Sequence, residues 1–177
     1  MAILVLGGVK SGKSRYAAWR AGQMAATGRE VVLVATAEAH DDDMAERIAR
    51  HKAERPADWR TVECGAGLTD VLPALDSERA VVIVDCLTLW LTALLTAGRD
   101  DAFIRNACDR LVRQVGAFRA PLVLVSNETN LGVIPPDRLS RRFCDLAGVL
   151  HQKLGNVCDE VVLVAAGLPL HLKGAMP

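Results

Sequence analysis

An α/β fold, with a doubly wound, mostly parallel sheet and helices on both faces, is predicted by three features of the sequence. Five short apolar runs rich in valine recur along the chain: AILVL (2–6), VVLVA (31–35), AVVIV (80–84), PLVLV (121–125) and EVVLVAA (160–166). They are continuous rather than alternating, the pattern of strands covered on both faces. Between them lie segments of helical period at about 13–26, 42–53, 88–97, 101–118 and 137–155, each long enough for a crossover. Strand and helix alternating in this way build a parallel sheet.

The first run leads into Gly7-Gly8-Val9-Lys10-Ser11-Gly12-Lys13-Ser14, which satisfies G-x-x-x-x-G-K-[ST] between a predicted strand and a predicted helix. Glycines let such a loop curl so that successive N–H groups point at phosphate oxygens, and the helix that follows adds favourable partial charge. Lys13 is expected to reach the β and γ phosphates and Ser14 to hold Mg²⁺ through its hydroxyl. The expected fold is therefore P-loop NTPase-like. The competing reading is a glycine-rich turn that binds nothing.

Between Thr36 and Arg79 the chain is longer than one crossover needs, and a helix, a short edge strand near WRTVEC (59–64) and a turn-rich return are expected there. The helix begins at the three acids Asp41–Asp43, which suit the positive end of its dipole, and stops before Pro56. Met44, Ile48 and His51 recur at i, i+4 and i+7, so His51 shares the inward face. A histidine there serves either as a hydrogen-bonded core or helix-end residue or as a catalytic group. Lys52, Arg55 and Arg60 form a local basic cluster that either is solvated or grips a triphosphate.

The third run ends at Asp85, placed as an acid at a strand end beside the P-loop would be to hold Mg²⁺ or its water shell. The fourth is followed by Ser126-Asn127-Glu128-Thr129, which lacks the N-K-x-D element of GTP switch proteins. The rigid stretch Gly132–Pro136, before a helix start at Asp137, lies at the C-terminal end of this strand, and 126–136 is read as a place for a second substrate or as a plain connector. Periodicity fades after Gly167, and a loosely held tail is expected from there on within one domain covering 1–177.

Bulk composition narrows the function further. Twenty-one basic and 21 acidic residues give a formal net charge of zero, so no overall field draws nucleic acid or an anionic membrane. Five cysteines, odd in number and never paired as C-x-x-C, fit reduced thiols in a cytoplasmic protein better than disulfides or structural zinc. No apolar run approaches the roughly 20 residues that span a bilayer.

Taken together, GGVKSGKS, DDDMAERIARHKAERPADWRTVE, VDCLT and SNETNLGVIPPDRLSRRFCDLAG resemble the bifunctional adenosylcobinamide kinase/adenosylcobinamide-phosphate guanylyltransferases of cobalamin biosynthesis, from Ile3 to about Lys173. The resemblance implies phosphorylation of adenosylcobinamide by ATP or GTP, then transfer of GMP from GTP onto that phosphate through a guanylylated His51. It implies nucleotide contacts from Gly7 to Ser14, at Ala35, Thr36 and Ala37, at Lys52, Ala53, Glu54 and Arg55, and at Glu63 and Asp85, with Mg²⁺ at Ser14 and Asp85. It also implies a homotrimer acting on a corrinoid. A P-loop kinase without nucleotidyl transfer and a GTP-hydrolysing regulatory protein are the alternatives.

Overall fold

The computed structural model describes residues 1–26, 28–37, 46, 49 and 56–174. The predicted helix at 42–53, His51 and the Lys52–Arg55 cluster lie outside the described residues, apart from Glu46 and Ala49.

The five apolar runs are strands β1 (Ala2–Gly7), β2 (Glu30–Ala35), β4 (Ala80–Asp85), β5 (Leu122–Asn127) and β6 (Glu160–Ala165), and the expected edge strand is β3 (Arg60–Glu63). Helices α1 (Lys13–Ala25), α3 (Leu87–Thr96), α4 (Asp101–Ala117) and α5 (Arg138–Val157) alternate with them, and a short helix α2 (Leu68–Val71) lies in the return from β3 to β4. With a last strand β7 (Leu168–Lys173), the sheet runs β3-β2-β4-β5-β1-β6-β7. All neighbours are parallel except β6 and β7.

Continuous apolarity reflects burial on both faces. One face of the strands, through Leu4, Val34, Val82 and Leu124, packs on Trp90, Leu91, Ile104, Leu111 and Leu150 from α3, α4 and α5. The other, through Ile3, Val5, Ile83, Val123 and Val125, packs on Tyr16, Ala17 and Ala21 of α1. Each such side chain withdrawn from water contributes about 1.5–3 kcal/mol before entropy is subtracted. A buried ion pair, Arg20 Nη2 to Glu160 Oε1 at 2.6 Å, fastens α1 to β6.

The expected loose tail is instead a seventh strand, β7 (Leu168–Lys173), antiparallel to β6. Ala166 (φ 52°) and Gly167 (φ 79°) form a two-residue hairpin turn with both φ values positive, the geometry that matches the twist of its flanking strands. Leu168, Leu170 and Leu172 alternate with Pro169, His171 and Lys173. That period of two marks a strand, and a proline within it is tolerated because this is an edge.

Candidate nucleotide site

β1 ends at Gly7, and the chain reverses through a tight loop before α1 starts at Lys13. The reversal needs positive φ at Lys10 (56°) and Gly12 (97°). Gly12 is the N-cap and supplies no side-chain cap, so the first N–H groups of α1 have no partner from their own helix. Lys13 Nζ donates to Gly8 O at 3.1 Å, folding its ammonium back over the loop. A Cβ on Gly7 would stand 2.5 Å from Ser11 Oγ and 2.6 Å from Val164 O, whereas one on Gly8 would meet nothing within 4 Å. Gly7 is thus demanded by packing, and Gly8 leaves the backbone open to a ligand. The hairpin before β7 braces the loop from outside, Gly167 N–H donating to Ser11 O at 2.8 Å.

Register brings the other predicted residues to the same end of the sheet. Ala35 pairs with Glu63 on one side and Asp85 on the other, Asp85 with Val125, and Gly7 with Asn127. Glu63, Ala35, Asp85 and the phosphate loop therefore form one rim at the C-terminal strand ends, where open α/β sheets bind ligands. Ala37 follows on this rim, half-buried.

Thr36, 1% exposed, spends its hydroxyl inside the protein. It accepts from Cys86 N–H at 2.9 Å and donates to Cys86 O at 2.7 Å. The segment directly after Asp85 is thereby fixed to the end of β2. The network continues from Cys86 Sγ to Thr88 Oγ1 at 2.9 Å, and Asn127 Nδ2 donates to Thr88 Oγ1 at 3.2 Å. Burial above all, with the Asp85 charge adding to it, pushes the Cys86 thiol up, so it is a neutral packing group and not a nucleophile.

Beyond β5 the chain stays close to the loop, Glu128 N–H donating to Gly7 O at 3.0 Å. Ser126 Oγ meets His151 Nε2 at 2.8 Å and Glu128 Oε2 stands 3.8 Å from His151 Nδ1. Burial holds the His151 imidazole below its ordinary range, partly offset by Glu128. Asn130 Nδ2 donates to Cys144 O at 3.0 Å, resting where a Cβ on Gly148 would come within 2.7 Å of it. Past this anchor Leu131, Val133 and Ile134 are exposed, Val133 by 96%. A separate cavity opens between the first turns of α4 and α5, lined by Asp101, Arg105, Arg138 and Arg142, but its Arg142 is paired with Asp101 and no residue of Gly7–Ser14 lines it.

The site suits a nucleotide with magnesium. Uncapped N–H groups and a lysine at a helix start hold phosphate. The Ser14 hydroxyl and Asp85 carboxylate are hard oxygen donors, and magnesium is ordinarily held by one or two such groups together with substrate phosphates. A magnesium ion held there would neutralise phosphate charge during transfer.

Residues 3–172 match the family model described as cobinamide kinase / cobinamide phosphate guanyltransferase. The chain belongs to this family. It is 45% identical over 97% of its length to the bifunctional adenosylcobalamin biosynthesis protein CobP of Pseudomonas aeruginosa, covering 96% of that protein. It is 38% identical to the bifunctional adenosylcobalamin biosynthesis protein CobU of Salmonella typhimurium and 36% to that of Escherichia coli, over 98% of this chain and 100% of each relative. Among solved structures it resembles an ATPase of a bacterial type III secretion system, with TM-score 0.55 and 13% identity, over 96% of this chain and 56% of the ATPase. That likeness concerns the fold alone.

As a cobinamide kinase/guanyltransferase family member, the chain is a transferase of the cobalamin biosynthesis group. Of the residues predicted for its site, the structure gathers Gly7–Ser14, Ala35, Thr36, Ala37, Glu63 and Asp85 on one rim. Sequence reading passed over Thr88, Asn127 and His151 as individual site residues. For Asn127 a signal was present, since it ends an apolar run just as Asp85 does. For Thr88 and His151, each inside a helical pattern, there was none.

Proposed function

We propose that the chain phosphorylates the hydroxyl of adenosylcobinamide with ATP or GTP and then transfers GMP from GTP onto the new phosphate, acting as a cytoplasmic homotrimer. The observation that carries this reading is the uncapped, glycine-formed loop at the start of α1 sharing a rim with Asp85, in a chain of the cobinamide kinase/guanyltransferase family. In the first reaction Lys13 and the backbone N–H groups hold the phosphates, while Ser14 and Asp85 hold Mg²⁺. In the second, the neutral imidazole of His51 attacks the α-phosphorus of GTP and pyrophosphate leaves. The phosphoramidate then passes GMP to the substrate phosphate. Lys52, Ala53, Glu54 and Arg55 contact the nucleotide beside His51, and Glu63 accepts from guanine N–H groups or ribose hydroxyls. The exposed apolar stretch at 131–134, which follows the strand ending beside Gly7, is the face offered to the corrinoid.

The test is covalent labelling. Incubated with GTP labelled at the α-phosphate and then denatured, the protein should carry acid-labile, base-stable label, and His51→Ala should carry none. No label on the wild type, or label that survives the substitution, would sink the intermediate.

A further inference from the structure

Strand β5 lies between β1, which carries the phosphate loop, and β4, which carries Asp85. Any group that ends β5 therefore stands between the two halves of the phosphate and metal site. Val123 and Val125 pack on the α1 face of the sheet, and Asn127, two residues on, continues that face. It is the same face from which α1 presents Lys13 and Ser14. Asn127 lies directly beside Gly7.

The amide of Asn127 is half used. Its Nδ2 donates to Thr88 Oγ1, whereas its Oδ1 is enclosed and meets no donor among the described residues. Burying an amide oxygen without a donor is costly, and such groups are rare unless something else serves them. Thr88 is itself fixed by Cys86, and Cys86 by Thr36. The amide is thus held from behind by a chain of hydrogen bonds reaching to the end of β2, with a buried acceptor left over beside Gly7.

We propose that Asn127 is a catalytic residue of the phosphoryl-transfer half-reaction, its Oδ1 accepting a hydrogen bond from the hydroxyl that attacks the γ-phosphorus. This rests on the function proposed above. In that step the hydroxyl oxygen bonds to the γ-phosphorus and the bond from phosphorus to the β,γ-bridging oxygen breaks. The nucleoside diphosphate leaves with the electron pair, and the hydroxyl proton passes to a γ-phosphoryl oxygen. Asn127 takes no proton; it aligns the attacking oxygen, which for transfers of this kind is a large part of catalysis. The GMP transfer, a reaction at the α-phosphorus, does not use it.

The two half-reactions can be read separately in Asn127→Leu, which keeps the volume and removes both amide atoms. Expected is a loss of roughly 20- to 100-fold in kcat for cobinamide phosphorylation, as for one oriented hydrogen bond made in the transition state. The KM for nucleotide and covalent labelling by α-labelled GTP should stay within about three-fold. Thr88→Val, which frees the amide without removing it, should give the same split at a smaller loss and guards against a folding defect at 127. A corrinoid-free arm uses GDP, Mg²⁺ and aluminium fluoride. Wild type should bind GDP far more tightly with the fluoride present, and Asn127→Leu should bind GDP equally well but lose that gain. Equal losses in both half-reactions, or no loss in either, would overturn the proposal, as would a fluoride gain retained in Asn127→Leu. If the wild type phosphorylates no cobinamide, the proposed function fails instead, and the fluoride arm still decides the role of Asn127.

Discussion

Helices α4 and α5 open on aspartates whose carboxylates each accept from one first-turn N–H, Asp100 from Phe103 and Asp137 from Ser140. Helices α1 and α3, which follow the phosphate loop and Asp85, open on Gly12 and Cys86 with no side-chain cap. Each capped end already spends its cap on one of its own N–H groups. The uncapped ends give up about 1 kcal/mol each of intrinsic helix stability, and the start of α1 leaves its first donors open to an anion. If the proposed site is right, the two kinds of start divide labour: the first stabilises the fold and the second serves the ligand. Substitutions at the two should therefore fail in opposite ways.

The largest separation is expected at Lys13. Its only described bond is to Gly8 O, on the exposed side of the loop, so Lys13→Ala should leave the melting temperature within about a degree or two, as ordinary surface changes do. Phosphorylation of cobinamide should fall by about 10²–10³-fold, since the lysine answers charge developing on the transferring group. Steady-state kinetics beside calorimetry checks this; an unchanged rate contradicts the assigned phosphate site.

Asp100→Ala should do the reverse. Loss of the bond to Phe103 N–H costs about 1 kcal/mol, read as a lowered denaturant midpoint at unchanged m-value. Affinity for nucleotide should not move. A variant that lost nucleotide affinity in step with stability would show that capped and uncapped ends are not independent.

The parts of the molecule that sequence reveals are those where one residue type has one reason to be present. Six of seven strands were legible, five because burial on both faces leaves only apolar residues and β3 as a short edge run, and the phosphate loop because Gly7 and Gly12 answer to a clash and to a backbone angle. The Asp85 rim position followed from polarity at a strand end. β7 was misread because Pro169 and Gly167 look like tail punctuation, although Leu168, Leu170 and Leu172 carried a strand's alternation. The bracing of Asp85 through Thr36, Cys86 and Thr88 could not be seen, since it joins β2 to β4 over a separation that no local period encodes. His51 stood out only through resemblance to a family, because a histidine on an inward helix face has several physical reasons to be there.

The smallest expected effect concerns what lies beneath Asn127. His151 is buried against Ser126 on the far side of β5 and kept neutral, with burial outweighing the opposing pull of Glu128. Its folded pKa is below the unfolded value of about 6.5, so on acidification the unfolded chain takes up this proton first. The stabilisation that follows is complete above that value and is lost as the pH falls from there towards the folded pKa. Melting temperatures of the wild type should therefore drop more between pH 7.5 and pH 5 than those of His151→Gln, which can still hydrogen-bond Ser126 but carries no titrating ring. Parallel curves for the two proteins would mean that His151 does not sense pH from its buried position, and that the acid sensitivity of the fold resides in its carboxylates.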